Sequence, residues 1–171
     1  MKSDKEEQER LAALRDETEA ADLEEALGFS RVIAKISSSG KPVLGHNMFL
    51  DVCHTINQFC DVLPDSYMDF KALTTSVFPR IVDTKVMANT SPFKQEMPNS
   101  SLEELHQAVQ QSPYSLPSIT PLTPHLGYVE GEKKNHEAAY DAYITGLCFI
   151  AMSNRSVLLS LRSLINCYGN F

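Results

Sequence analysis

The chain has 171 residues, 43% of them apolar, with 15 basic and 22 acidic side chains and a net charge of −7. That length suffices for one domain with a core, and the acidic balance excludes the broad basic stripe that grips a long phosphate backbone. The longest apolar run, Ile144 to Met152, falls far short of the roughly 20 residues that cross a bilayer, and the charged start MKSDKEEQER leaves no room for the apolar centre of a signal peptide. A soluble intracellular protein with no membrane contact is the expectation.

In chain order, residues 1–28 hold ten acids against four bases, so nearly all of the net charge sits in one segment. From Glu6 to about Ser37 there is no proline and only one glycine, and Glu, Ala, Leu and Arg dominate. These are strong helix formers, so one long helix is expected. Leu23, Ala26, Leu27, Phe29, Val32, Ile33 and Ile36 approximate a spacing of three and four, which predicts that its second half docks on a core. SSSGKP (Ser37 to Pro42) ends it.

PVLGHN reads as a short buried strand, and MFLDVCHTINQFC as the helix after it, with Phe49, Val52, Cys53, Ile56, Phe59 and Cys60 on one apolar face. After a turn at Pro64 and Asp65 comes a polar helical stretch. Ile81 and Val82 then suggest a strand that delivers Asp83, Thr84 and Lys85. Ser100 or Ser101 ahead of Glu103 or Glu104 has the form of a capping box, predicting a helix from Leu102 to about Gln110. SPYSLPSITPLTPHLGYVEGEKKN is rich in proline and reads as an irregular loop. The last helix is expected to begin near His136 and run past Met152, with apolar residues on almost every face as in a helix buried all round.

The four cysteines form no CxxC pair, and buried free thiols suit a reducing compartment better than a zinc site does. HEAAY is not the zinc-protease HExxH, because Tyr140 stands where the second histidine is needed. There is also no glycine-rich phosphate cradle and no GxSxG elbow. What remains is HxxxxD, His136 and Asp141, together with Asp51 one turn into an earlier helix.

Residues five apart on a helix differ by about 140° in direction, so His136 and Asp141 converge only if His136 sits where the loop meets the helix. A carboxylate within a buried helix costs several kcal/mol unless it is paired or binds a metal. Simple pairing of Asp141 with an arginine or a helix N-terminus is the competing reading. Hard carboxylate oxygens beside an imidazole favour Mg²⁺ or Mn²⁺ over zinc.

GHNMFLDV, FPRIVDTKVMA, SLEEL and HEAAYDAYITGLCFIAMSN occur in the order and nearly the wording of the poly(A)-specific ribonucleases, deadenylases of the DEDDh 3′-5′ exonuclease superfamily. The resemblance covers roughly Glu6 to Asn154. It implies an α/β fold of the ribonuclease H-like kind, here helix-rich with a truncated mixed sheet. It also implies four acidic residues that bind two divalent cations, Mg²⁺ or Mn²⁺. Carried over by motif, Asp51 and Asp141 are two of these metal ligands and His136 is the general base. The tyrosine subtype places its base four positions ahead of the aspartate, and that position here is Glu137.

Asn47 and Lys85, with His46 beside them, are implied to lie near the RNA. Helix capping competes as a role for Asn47 and His46, and a plain surface role for Lys85. In such a site two cations about 3.5 to 4 Å apart clamp the phosphodiester, and a neutral imidazole takes a proton from the attacking water. The substrate implied is the 3′ end of single-stranded RNA, poly(A), and the product 5′-AMP. Nucleus and cytoplasm are the implied locations, and a homodimer, or pairing with the full-length enzyme, the implied assembly.

The family's Asp-x-Glu strand has no counterpart among these residues, since DETE (Asp16 to Glu19) lies in a solvated helical run. The expected organisation is a charged helix over 1–24, the C-terminal part of an exonuclease domain over 25–154, and a divergent tail over 155–171. The isolated chain is expected to be marginally stable and to have little or no nuclease activity. Two other readings stay open: a non-catalytic fragment that binds RNA or the parent enzyme's subunits, and an unrelated helical interaction protein working through its acidic helix.

Overall fold

The computed structural model describes residues 2–97, 99–119, 128, 134 and 136–168. The chain divides into two compact units, one of residues 1–41 and 52–79, the other of residues 42–51 and 80–171.

The first unit is helical. Helix α1 (Lys2–Leu27) carries the acidic segment and leaves Leu11, Leu14 and Leu23 exposed. The single long helix expected from composition is instead broken, and α2 runs separately over Ser30–Ser38. The break falls at Gly28, whose φ of +42° lies in the left-handed region that glycine enters more readily than other residues. Phe29 then starts the new helix, its carbonyl accepting from Val32 N–H at 2.9 Å and Ile33 N–H at 3.2 Å. Arg31 pairs with Glu24 across the break.

Docking of this region is narrower than its spacing suggests. Ile33 is buried, whereas Leu23, Leu27, Phe29, Val32 and Ile36 are all exposed. The Phe29 ring does meet Phe59, 5.2 Å between centroids, on the second half of α3 (Phe49–Phe59). Within the predicted apolar face of α3, Val52 and Ile56 are buried, but Phe49 and Cys60 are exposed. Helix α4 (Tyr67–Val77) follows, its Asp69 N–H capped by the Ser66 hydroxyl.

The second unit contains the sheet. Strands β1 (Val43–Gly45) and β2 (Ile81–Asp83) pair in parallel, Val43 opposite Ile81, Leu44 opposite Val82 and Gly45 opposite Asp83. Among the described residues the sheet is therefore a parallel pair, not a mixed one, and both strands are half-buried, β1 where full burial was expected. The connection explains the direction: two helices, α3 and α4, separate the strands, and a crossover of that length returns the chain parallel.

Short helices α5 (Thr84–Ala88) and α6 (Phe93–Glu96) follow β2, then α7 (Leu102–Val109) at the position expected. At its start the Ser101 hydroxyl donates to Glu104, and Asn99 Nδ2 donates to the same carboxylate at 2.8 Å. Of the proline-rich loop, residues 112–119 are irregular and most of the remainder lies outside the described residues. Helix α8 (Ala138–Tyr168) closes the unit and packs on α7, β1 and α5.

The core joins Ala88, Phe93, Met97, Leu105, Val109, Tyr114, Cys148, Ala151 and Met152. Burial pushes the Cys148 thiol up to about 12, which leaves it an inert small hydrophobe. Helix α8 is not buried all round: Tyr140, Ile144, Leu147, Cys148, Ala151 and Met152 face inward, while Ile150, Asn154 and Val157 are exposed. An apolar sequence on every face overstates burial when partners cover only one side of a helix. Arg155 ties α8 to its neighbours, with Nη2 2.6 Å from Glu96 Oε1 while the Tyr114 hydroxyl donates to the other Glu96 oxygen.

Candidate functional site

All six residues singled out from the sequence, His46, Asn47, Asp51, Lys85, His136 and Asp141, belong to the second unit. Parallel pairing brings the carboxyl ends of β1 and β2 to one edge, with Gly45 beside Asp83. In parallel sheets this edge is where the loops that bind ligands gather. His46 and Asn47 leave one strand there, Thr84 and Lys85 the other.

Asp83 organises this edge. Its Oδ1 accepts from the N–H groups of Asn47 (3.0 Å), Lys85 (2.8 Å) and Val86 (3.4 Å), and its Oδ2 accepts from Met48 N–H (2.9 Å). The carboxylate thus caps the first turn of its own helix, α5, and also the turn that leads into α3. Partial burial pushes its carboxyl up, but the four N–H donors outweigh that and hold it below the usual carboxylate range. Asn47 sits at φ +59°, a left-handed conformation that asparagine tolerates better than most side chains. Sequence reading placed Asp83 only as a strand end. Its position immediately before a helix, the ordinary place of a capping aspartate, was the available signal.

His46 turns inward. Its Nδ1 lies 2.9 Å from the fully buried Thr84 Oγ1, which donates to the Gly45 carbonyl at 3.1 Å. Burial lowers the imidazole pKa against the opposing pull of Asp83 and the Ser100 backbone, with Lys85 lowering it further. The ring is therefore neutral near pH 7, and its contacts join β1, α5 and the segment before α7.

Asp51 lies in the first turn of α3 and is exposed. His136 stands at the loop-to-helix junction that the HxxxxD argument requires, exposed, with φ +70° and two residues ahead of α8. Asp141 is in the first turn of α8, half-buried, its N–H bonded to the Glu137 carbonyl at 2.9 Å. Glu137 accepts from the Tyr128 hydroxyl at 2.8 Å, and the Tyr128 ring stands edge-on to Tyr140 with centroids 5.1 Å apart. Glu137, at the place of a base in the tyrosine subtype, is thus engaged by Tyr128.

Asp51 and Asp141 offer oxygens and His136 an imidazole, a donor set suited to a hard divalent cation. Among the described residues, however, no three His, Cys, Asp or Glu side chains gather closely enough to hold an ion. These three residues do not make a metal site on their own.

The parallel edge of β1 and β2, Asp51 in the first turn of α3, and His136 with Asp141 at the opening of α8 all belong to an α/β frame. The CAF1 family ribonuclease profile matches residues 1–149, and the chain belongs to that family. It is 49% identical over 153 residues to the poly(A)-specific ribonuclease PARN of Xenopus laevis, covering 90% of this chain and 24% of that protein. It is 53% identical over 133 residues to the PARN of Danio rerio, covering 78% and 20%. The pre-piRNA 3′-exonuclease trimmer of Bombyx mori is 36% identical over 137 residues, covering 75% and 25%. The chain spans about a quarter of the length of the curated relatives it matches.

Proposed function

We propose that this chain carries part of the active centre of a 3′-5′ exoribonuclease that shortens poly(A) and releases 5′-AMP, within a ribonuclease H-like fold. Asp51 and Asp141 are two of the carboxylates that hold divalent cations, Mg²⁺ or Mn²⁺, and further carboxylates complete the set. The ions supply charge neutralisation at the scissile phosphate. His136 takes a proton from water at an imidazole nitrogen, and Asn47 and Lys85 meet the RNA. His46 orders the Asn47 turn from behind.

The observation that carries this reading is the placement of His136 in a left-handed turn directly before α8 with Asp141 in that helix's first turn. The relatives named as poly(A)-specific ribonucleases support the substrate. A chimaera in which residues 1–149 replace the matching quarter of the Xenopus laevis relative tests it. Shortening of 5′-labelled oligo(A) in Mg²⁺, abolished by Asp51→Ala or Asp141→Ala, is expected. An active chimaera indifferent to both substitutions would refute the assignment.

The lack of a three-ligand set among the described residues favours a second reading for the chain acting alone, as a non-catalytic module that binds RNA or the subunits of a complete relative. Purified chain then leaves oligo(A) intact, and added to the complete relative it slows deadenylation. Location in nucleus and cytoplasm belongs to the same proposal.

A further inference from the structure

We propose that Asp83 is a positioning residue for the RNA-contacting edge, its carboxylate holding Asn47 and the first turn of α3 at a fixed place relative to Lys85. This rests on the reading that Asn47 and Lys85 meet RNA. Four backbone N–H groups from two chain segments 36 residues apart converge on one carboxylate. Two of them, from Asn47 and Met48, stand directly ahead of α3, the helix that bears Asp51; the other two open the helix that bears Lys85.

The arrangement matters because Asn47 is in left-handed backbone. Such a conformation costs energy for any residue with a Cβ and persists where surrounding bonds over-determine it. The N–H groups of Asn47 and Met48 both end on Asp83. A half-buried Lys85 and an exposed Asn47 are then set by one carboxylate instead of by two independent loops.

An anionic carboxylate matches this position and a neutral amide does not. Hydrogen bonds to a charged acceptor are about twice as strong as neutral ones, and an amide presents one acceptor atom where the carboxylate presents two. Asp83→Asn therefore keeps the volume and loses the cap on Met48 or on Asn47.

The test uses the full chain and labelled oligo(A), with two readouts for each variant. Amide hydrogen exchange reports the cap, and fluorescence anisotropy reports RNA affinity. Asp83→Asn is expected to speed exchange at Asn47 and Met48 by about tenfold, the loss of one charge-assisted bond, while Leu105, Val109 and Cys148 keep their rates. Oligo(A) affinity falls in parallel by about threefold to tenfold. In an Asn47→Ala background the same substitution adds little, because both act on one contact. Asp83→Glu, which keeps the charge, restores part of the affinity.

Faster exchange with unchanged affinity, or an effect fully additive with Asn47→Ala, would overturn the positioning role. If instead Asn47→Ala and Lys85→Ala themselves leave oligo(A) affinity unmoved, the RNA-contact reading fails first and the positioning role goes with it. A variant that unfolds is recognised by lost protection at Leu105 and Val109, and Asp83→Glu then carries the comparison: a wild-type exchange rate with lost affinity also counts against the proposal.

Discussion

Arg155 Nη2 lies 2.6 Å from Glu96 Oε1, and both side chains are largely enclosed, 11% and 26% exposed. The pair joins α8 to α6, and the Tyr114 hydroxyl completes it from the turn after α7. Hydrogen bonds from Arg155 and then Tyr114 hold the Glu96 carboxyl below its ordinary value against the effect of burial. Burial, together with Glu96, raises the Tyr114 phenol.

Arg155→Ala is expected to lower stability by about 1 to 2 kcal/mol, the range for a charge-assisted bond that water still partly reaches. Glu96→Gln, which keeps the shape and loses the charge, is expected to cost less. Urea unfolding of the three proteins side by side decides this, and equal midpoints would show that the pair contributes nothing.

Acid should loosen the second unit through Asp83 and Glu96. Both carboxyls lie lower in the folded chain than in the unfolded one. Their contribution is therefore complete above the ordinary carboxylate range near pH 4 and is lost as pH falls through the lowered folded values. Urea midpoints should decline from about pH 5 downward. Asp83→Asn and Glu96→Gln should each flatten that decline, and a double variant as steep as the wild type would contradict it.

Gly45 ends β1 against Met48. A Cβ built there would stand 2.6 Å from the Met48 Cβ and 2.5 Å from its sulfur. Gly45→Ala is expected to cost about 1 to 3 kcal/mol, as overpacking does, and to disturb the His46–Thr84 hydrogen bond next to it. Thermal unfolding measures the first effect and the His46 ring resonances the second. Relief by Met48→Ala in the same chain would identify the clash as the cause.

His136→Asn in the chimaera with the Xenopus laevis relative should lower kcat about 10² to 10⁴-fold, the typical worth of a general base, with little change in oligo(A) affinity. An unchanged kcat in that variant would assign the base to another group.

The sequence by itself marked most of the helices and both strands. Alternation of helical spacing with short β-branched runs marks α3, β2 and α7 within one or two residues, because these patterns follow from local periodicity. HxxxxD ahead of an apolar helix also pointed to His136 at a junction, and His136 does stand just ahead of α8. Tertiary structure alone decided the break at Gly28, the parallel sense of the sheet and the single buried stripe of α8, because each depends on what lies opposite in space. The role of Asp83 belongs there too: a local reading sees an aspartate capping its own helix, but its second pair of donors comes from Asn47 and Met48, which are adjacent only because β1 and β2 pair in register.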